Sequence, residues 1–419
     1  MQPSAIFVVI EAMRTPALIL GLGLLLRAHA QSPVITAWII NPGNETGYAG
    51  IATNVLSVHY TATDAYVTST CIPGYDIGPW TANPNLPANQ DFCFRITRSP
   101  VANTGTLVNT PLGHIGVWRN GVSIFNAKDG MSYNNQGIWN RDARVFEGIS
   151  FDACLGHPAP NGEYHHHVSP NCLYDHLNDE QHSELIGYAF DGFPIYGAHG
   201  YANADGSGGI ARMRSSYRLR AITDRATLPN GTVLQAAQYG PAIGGQYPLG
   251  AFIEDYEYVA GSGDLDAHNG RFCITPEYPA GTYAYFVTLN EQYAPAYPYV
   301  LGPQYYGTVA PGNTGPAGGH NTIPGGAVLY TGGSTGLSAA LLPADALFPN
   351  PAAERVQLTA AQPLRLVRLR DAAGRNALQH DAHGATQLVL HTDALPAGVY
   401  TVEAQGADGA VRTGRLVKP

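Results

Sequence analysis

The chain is organised around Cys154-Leu-Gly-His157-Pro-Ala-Pro-Asn-Gly-Glu-Tyr164-His165-His166-His167-Val-Ser-Pro-Asn-Cys172. This stretch contains the frame Pro-x-Gly-x-Tyr at 160–164, and the same frame recurs at 279–283 and 396–400. Pro presets φ for a turn, Gly accepts a positive φ, and Tyr is typical of a half-buried strand. The frame therefore predicts a turn followed by a strand at all three places, and only the first of these strands carries histidines.

The composition indicates a mainly β protein. Of 419 residues, 49 are Gly and 31 are Pro, and only 13% are charged. Short strands joined by turns fit this composition better than long helices, which exclude Gly and Pro from their interiors. Asn120-Gly121 and Asp191-Gly192 have the composition of tight hairpin turns. The net charge of -9, with no basic cluster, argues against nucleic-acid binding.

Residues 1–30 have the features of a signal peptide. The apolar run Ala17–Leu26 is shorter than the roughly 20 residues that a membrane-spanning helix needs. Arg14 precedes this run, and Ala28-His29-Ala30 follows it as a small-x-small cleavage site. We expect cleavage after Ala30 and export without a transmembrane segment. A buried core helix is the alternative interpretation.

The remainder divides by composition into two β-rich parts and a connection. Residues 31–307 show no internal break and predict one large β-rich domain, and residues 308–342 are dense in Gly and Pro and predict a linker. Residues 343–419 contain short alternating segments that predict a small C-terminal β-sandwich. Its predicted strands include Arg355–Leu358, Leu364–Leu369, Thr386–Leu390 and Val399–Val402.

The histidines predict a metal site. Side chains alternate along a strand, so His165 and His167 share one face while His166 points to the other. His157 lies upstream of the Pro-Ala-Pro-Asn-Gly turn and can fold back as a third ligand. Three imidazoles with an open position suit zinc, and imidazole nitrogen also suits copper. The alternative is that these are surface or hydrogen-bonded histidines.

Neighbouring residues leave several roles open. Asp191 could orient a ligating imidazole, or it could only form a hairpin turn. In an oxidising compartment, Cys154 and Cys172 would close the histidine segment with a disulfide, and Cys71 with Cys93 would form a second, leaving Cys273. Other pairings are possible, and metal ligation by the Cys154 thiolate is the rival interpretation. The chain has no HExxH or GxSxG motif that would name a reaction.

The C-terminal part resembles a type IX secretion C-terminal sorting domain. The resemblance lies in Phe348-Pro-Asn-Pro-Ala352, Leu395-Pro-Ala-Gly-Val-Tyr400 and Gly414-Arg-Leu-Val-Lys418. It implies that the type IX secretion machinery handles the chain and delivers it to the cell surface or the medium. An ordinary accessory β-domain, such as a carbohydrate-binding module, is the alternative.

The central domain resembles the YHYH protein family, named for a Tyr-His-Tyr-His run. The matching motifs include Phe151-Asp-Ala-Cys-Leu-Gly-His157-Pro, Gly162-Glu-Tyr-His-His-His167 and Ile186-Gly-Tyr-Ala-Phe-Asp-Gly-Phe-Pro-Ile-Tyr-Gly197. This chain has His166 where the family has Tyr, on the face opposite the proposed ligands. The resemblance supports a site at the histidines and implies no particular reaction.

Three functions remain as hypotheses at this point. The first is an exported metalloprotein that binds zinc or copper through His157, His165 and His167, with a hydrolytic or oxidative reaction at the metal. The second is an extracellular protein that captures the metal without turnover. The third is a surface or adhesion protein in which the histidines have no metal-binding role. Whether the chain is an enzyme is left open.

Overall fold

The structure is a computed structural model of the chain that describes residues 31–315, 318–331, 340–342, 346–371, 375–406 and 411–419. The predicted signal peptide, residues 1–30, lies outside the described residues. Within these ranges, no helix is both long and apolar enough to cross a membrane. The described residues are built mainly from short strands, so the prediction of a mainly β protein is confirmed.

A four-stranded sheet opens the central part of the chain. Its strands lie in the order β18-β1-β2-β3, and all of the pairs are antiparallel. The hairpin between β1 and β2 is closed by Thr61, whose amide donates to the carbonyl of Asp64. The strands are β1 Val55–Tyr60, β2 Asp64–Ser69, β3 Phe92–Thr97 and β18 Val328–Leu329.

Two described parts of the Gly/Pro-rich segment, 308–315 and 318–330, lie along both edges of this sheet. Tyr330 donates its amide to the carbonyl of Val58 in β1, and the amide of Cys93 in β3 donates to the carbonyl of Gly319. The Asn313 side chain exchanges hydrogen bonds with the backbone of Arg95. Unpaired strand edges are thereby satisfied. Part of the segment predicted as a linker, 308–342, is therefore hydrogen-bonded to the sheet at these residues.

An eight-stranded sheet forms the centre of the molecule. Its order is β16-β17-β11-β10-β4-β5-β9-β8, with parallel pairing at β11/β17 and β5/β9 and antiparallel pairing elsewhere. Strands β4 and β10 are buried along their whole length, which identifies the middle of the core. The strands are β4 His114–Trp118, β5 Ser123–Phe125, β8 His157–Pro158, β9 Tyr164–His166, β10 Leu185–Ala189, β11 Pro194–Tyr196, β16 Gly270–Cys273 and β17 Thr282–Phe286.

The turns of this sheet follow the residues that predicted them. Gly121 and Gly192 take positive φ values of 80° and 88°, and each donates its amide back across a tight turn, to Trp118 and Ala189 respectively. Gly162 has a φ of 82° and reverses the chain between β8 and β9. Only glycine adopts these conformations without strain. Tyr164 and Tyr283 lie in strands after their turns, as the Pro-x-Gly-x-Tyr frame predicts.

Smaller elements surround the two sheets. Three two-stranded ribbons pair β6 with β7, β12 with β13 and β14 with β15. The ribbon strands are β6 Lys128–Ser132, β7 Asn140–Asp142, β12 His199–Tyr201, β13 Ile210–Arg212, β14 Tyr217–Leu219 and β15 Tyr256–Tyr258. The α-helices are α1 Pro33–Thr36 and α2 Ala143–Phe146, and the 3-10 helices are Tyr48–Gly50, Tyr133–Asn135, Gly148–Ser150, Ala236–Gln238 and Ile253–Asp255.

The C-terminal part is a small β-sandwich with its own core. A five-stranded sheet has the order β19-β26-β25-β22-β23, and a three-stranded sheet has the order β20-β21-β24. Alternate side chains of β21 and β25 are buried, and Leu358, Leu364 and Val402 are fully buried. Each such side chain contributes roughly 1.5–3 kcal/mol. The strands are β19 Ala340–Leu341, β20 Leu347–Phe348, β21 Arg355–Thr359, β22 Leu364–Arg370, β23 Asn376–Asp381, β24 Gln387–His391, β25 Gly398–Gly406 and β26 Val411–Lys418.

The cysteines confirm one of the two expected disulfides and correct the other. Cys154 and Cys172 are bonded, 18 residues apart, and a loop of this length stabilises the fold by about 3 kcal/mol. Cys71, Cys93 and Cys273 are free and buried. The expected Cys71–Cys93 bond is wrong because the Cys71 sulfur points into the core, 3.0 Å from the carbonyl oxygen of Tyr164.

We predict a thiol count that follows from this arrangement. The unfolded protein should present three thiols to a thiol reagent before reduction and five after it. The folded protein should react slowly, because burial raises the pKa of the Cys71, Cys93 and Cys273 thiols. A single reactive thiol in the unfolded, unreduced protein would indicate a second disulfide and contradict the structure.

Candidate metal centre

Strands β8 and β9 bring the three predicted ligands together. The turn at Gly162 pairs them antiparallel and places His157 directly opposite His165. His165 and His167 are two residues apart and share a face, as strand alternation predicts. All three side chains are at least 95% buried. One nitrogen atom from each of His157, His165 and His167 lies within 4.8 Å of the other two.

A hydrogen bond at the back of each ring fixes its orientation. Nδ1 of His165 donates to the carbonyl of Glu163 (3.0 Å), and Nδ1 of His167 donates to the carbonyl of Asn126 (2.6 Å). The third ring, His157, has its Nδ1 2.7 Å from Oγ of Ser150. The Ser150 hydroxyl donates its own hydrogen to the carbonyl of Glu147, so it accepts from His157.

These partners also decide which nitrogen of each ring carries the proton. Because Nδ1 is the donor in all three rings, Nε2 has a free lone pair in the neutral form. The Nε2 atoms of His165 and His167 are 3.1 Å apart, and Nε2 of His157 is buried without a hydrogen-bond partner. Two lone pairs this close repel each other, and either a proton shared by the two nitrogens or a metal ion between them relieves the repulsion. The three rings could therefore hold a metal ion.

Burial favours the neutral form of His157 and His165. It lowers the pKa of His157 to about 4, with a further contribution from His167. The pKa of His165 is held well below its ordinary value, again chiefly by burial and then by His157. A neutral imidazole is the form that ligates a metal. At neutral pH these two rings therefore need no deprotonation before they can bind one.

A carboxyl pair that the sequence did not reveal completes the site. Oε2 of Glu147 lies 3.1 Å from Nε2 of His167 and 3.5 Å from Nε2 of His157. Burial acts to raise the pKa of Glu147, but His167 and His157 lower it, and the net value is below the ordinary one. Burial and the neighbouring Glu147 raise the pKa of Asp129 to about 6. The two acids thus differ in how readily each one holds a proton.

Local structure places Glu147 at the end of a short helix. Asp142 caps helix α2 by accepting a hydrogen bond from the amide of Val145 (3.3 Å). Glu147 follows the last helical residue and donates its amide to the carbonyl of Ala143. The 3-10 helix Gly148–Ser150 then brings the Ser150 hydroxyl to His157. This short segment therefore supplies both the Glu147 carboxylate and the Ser150 hydroxyl that holds the His157 ring in place.

The histidines open into a cavity of about 460 Å³, which we call the metal cavity. The ring of Phe125 stacks on His165 at a centroid distance of 3.7 Å and forms part of its wall. The exposed side chains of Leu112 and Ile149 also line it. Lys128 and Asp129 lie at the same cavity. The three histidines therefore form part of the wall of a cavity that is large enough for a small molecule.

The opposite face of β9 has a structural role. His166 is fully buried, edge-on to Tyr164 and Trp118, and burial lowers its pKa to about 3. The hydroxyl of Tyr164 donates to Asp152 (2.9 Å). Asp152 also accepts from the amides of Gly78, Cys154 and Gly156. His166 therefore belongs to the packing behind the site.

Two other interpretations of neighbouring residues are corrected. Asp191 does not orient an imidazole, because its carboxylate accepts from the Tyr285 hydroxyl and the amides of Gly307 and Phe193. Cys154 is disulfide-bonded and cannot offer a thiolate to a metal. Sequence reasoning also missed Asn126, Ser150, Asp129 and Glu147, which come from other segments of the chain. None of them has a local motif that marks it.

Comparisons with known proteins agree with this division of the chain. Residues 93–298 match the family model of the YHYH protein, and residues 346–418 match that of the secretion system C-terminal sorting domain. Neither the curated proteins nor the solved structures give a match. A type IX sorting domain indicates secretion to the cell surface or the extracellular space. The chain is thus an exported protein whose residues 93–298 match the YHYH protein family and whose residues 346–418 match the C-terminal sorting domain.

Proposed function

We propose that this exported protein binds one divalent metal ion, zinc or copper, through Nε2 of His157, His165 and His167. The observation that carries the proposal is the convergence of three buried Nε2 lone pairs, each fixed by a hydrogen bond on the far side of its ring. An ion at this point would relieve their mutual repulsion.

The donor set fits either metal. Zinc–imidazole bonds of 2.0–2.1 Å separate two ligand nitrogens by about 3.3 Å in a tetrahedral site. The Nε2 atoms of His165 and His167, 3.1 Å apart, are close to that separation. Three neutral nitrogens also suit copper. The oxygen atoms of Ser150, Glu163 and Asn126 behind the rings are the kind of supporting contacts that ligating histidines require.

A hydrolytic enzyme is the function that we favour. The bound ion would supply electrophilic catalysis in the metal cavity. Glu147, with its lowered pKa, is a carboxylate at neutral pH and can accept a proton from a nucleophile held beside the histidines. Asp129, with a pKa of about 6, can exchange a proton with Glu147. These two acids favour hydrolysis over simple storage of the ion.

Metal capture without turnover is the second candidate. It requires only the three histidines, and it leaves the cavity and the carboxyl pair without a role. A structural or adhesion protein is the third, and it requires no ion. The following three measurements separate these functions.

We predict one equivalent of tightly bound metal per chain, measured by mass spectrometry on the purified protein. The variant His165→Ala/His167→Ala should bind none, because it removes two of the three Nε2 donors. His166→Ala is the matched control, since it truncates a buried histidine of the same strand and should keep the metal. Circular dichroism checks that both variants fold. Absence of metal from the folded parent, even after zinc or copper is supplied, would contradict the proposal.

We predict that the metal is retained in mild acid. An ordinary histidine has a pKa near 6.5, so protons compete with the ion below about that pH. The pKa of His157 is lowered to about 4 and that of His165 is also lowered, so protons should compete with the ion for these two ligands only at a lower pH than for an ordinary histidine. Dialysis at stepped pH, followed by metal analysis, measures this. Complete loss of metal between pH 6 and 7 would show that the site is not buried as described.

We predict that Glu147→Gln separates binding from turnover. The variant keeps the three imidazoles and should retain the metal, but it loses the proton acceptor. Hydrolysis of 4-nitrophenyl acetate by the metal-loaded protein should fall by about 10²–10⁴-fold, the usual contribution of a general base. Ile149→Ala, which truncates an exposed residue of the same cavity, is the control. An unchanged rate in Glu147→Gln would exclude this role for the carboxylate.

A further inference from the structure

A second cleft, which we call the tyrosine cleft, lies beside the metal cavity. Its volume is about 440 Å³. Lys128 lines both the tyrosine cleft and the metal cavity, so the two adjoin. The residues that line the tyrosine cleft are Asn109, Lys128, Tyr217, Pro229, Asn230, Ile253, Glu254, Tyr256, Glu257, Tyr258, Tyr297 and Pro303.

The ribbon of β14 and β15 builds the aromatic surface of this cleft. Tyr217 and Tyr258 are directly opposite in register, with ring centroids 5.7 Å apart. Tyr256 lies two residues before Tyr258, so it faces the same side of the ribbon. The ring of Tyr256 stacks on Tyr297 with centroids 4.3 Å apart and planes within 8°. Tyr258 is 39% exposed, and its ring is therefore accessible from solvent.

Polar groups lie around these rings. Glu254 is held in place because its carboxylate accepts from the amide (2.7 Å) and the side chain (2.6 Å) of Asn140. Glu257, Asn109 and Asn230 add further carboxylate and amide groups. Aromatic faces with fixed polar groups at their edges suit a ligand that has both an apolar face and many hydroxyl groups. A sugar ring has both.

The metal cavity continues in the other direction as well. A third cavity, of about 290 Å³, contains the buried pair His114 and Glu163, whose Nδ1 and Oε1 are 3.0 Å apart. It shares four lining residues with the metal cavity, namely Leu112, Gly113, Phe125 and Ala159. The metal cavity therefore adjoins both the tyrosine cleft and this third cavity. Such an extended depression fits a polymer better than a single small molecule.

The charged side chains of the tyrosine cleft restrict the class of polymer that it can bind. The tyrosine cleft is lined by Glu254, Glu257 and the single cation of Lys128. Burial raises the pKa of Glu254 to about 7, so the acidic side chains at least balance the lysine and the cleft has no net positive charge. This balance disfavours the phosphates of a nucleic acid and the carboxylates of an acidic polysaccharide. The apolar lining of the cleft consists of four tyrosine rings, Pro229, Pro303 and Ile253, and Ile253 is 91% buried, so rings predominate over aliphatic side chains in the cleft itself.

We infer that the tyrosine cleft binds a neutral polysaccharide and places its chain beside the histidine site. A neutral polysaccharide is thereby the substrate class for the proposed function. Only the turnover of the polysaccharide rests on that function. Sugar rings stack on Tyr258 and its neighbours, and their hydroxyl groups bond to the carboxylate and amide groups. Binding itself requires no metal.

The test is affinity electrophoresis of the full protein in gels that contain laminarin, xyloglucan, hydroxyethyl cellulose or alginate. Retardation is expected in at least one neutral polysaccharide and not in alginate. Tyr258→Ala should weaken binding at least tenfold, whereas Tyr258→Phe keeps the ring and should retain it. Tyr239→Ala, which removes a tyrosine of similar exposure (42%) that is not among the residues lining the tyrosine cleft, should have no effect.

The metal-free variant His165→Ala/His167→Ala distinguishes this inference from the proposed function. Equal retardation of parent and variant supports recognition in the tyrosine cleft, whatever the metal analysis shows. Retardation by no neutral polysaccharide, by alginate alone, or by a casein gel instead overturns the inference, even if the protein holds its metal. Binding that Tyr258→Ala leaves intact in a folded variant overturns it too.

Discussion

The hydrogen bonds to Nδ1 of three histidines are the constraint on which the site depends. The carbonyls of Asn126 and Glu163 can only accept, and the Ser150 hydroxyl has already donated its hydrogen. The three Nδ1 protons therefore face outward, and the three Nε2 atoms converge on one another and on the Glu147 carboxylate, with Nε2 of His157 left without a hydrogen-bond partner. A buried polar atom left without a partner costs roughly 1–3 kcal/mol. The folded protein is therefore less stable at this point than it would be with a cation bound there.

The three residues that accept these hydrogen bonds, which we call the anchors, connect the site to the whole central sheet. Asn126 follows β5, which pairs in parallel with β9, so the carbonyl reaches His167 only when that long-range pairing has formed. Ser150 follows helix α2, and Glu163 lies in the turn between β8 and β9. The Glu163 side chain also bonds to His114 in β4, next to the middle of the core. Ligand geometry is therefore a property of the assembled sheet and of no single segment.

The sequence predicted those parts of the site that depend on local geometry. Alternation along a strand put His165 and His167 on one face, and the turn at Gly162 returned His157 to them. The sequence could not predict that Glu147, Asp129 and the anchors lie beside the histidines. They reach the histidines through pairings between segments that are distant in the chain. The Cys71–Cys93 expectation failed for a similar reason, since spacing alone does not show that the Cys71 sulfur turns inward. Residues 308–315 and 318–330 have the composition of a linker, yet several of them are hydrogen-bonded to backbone groups at the sheet edges.

The two faces of strand β9 have different roles. On the face opposite the ligands, Tyr164 and His166 pack over Gly156, where an added Cβ atom would lie 2.3 Å from the Tyr164 hydroxyl and 2.9 Å from Nε2 of His166. Neither distance leaves room for a side chain, so this residue must be glycine for the loop closed by Cys154 and Cys172 to pack there. The departure from the Tyr-His-Tyr-His run falls on this supporting face. A change at residue 166 therefore alters the packing behind the loop, while the nitrogen atoms that face the metal cavity stay where their anchors put them.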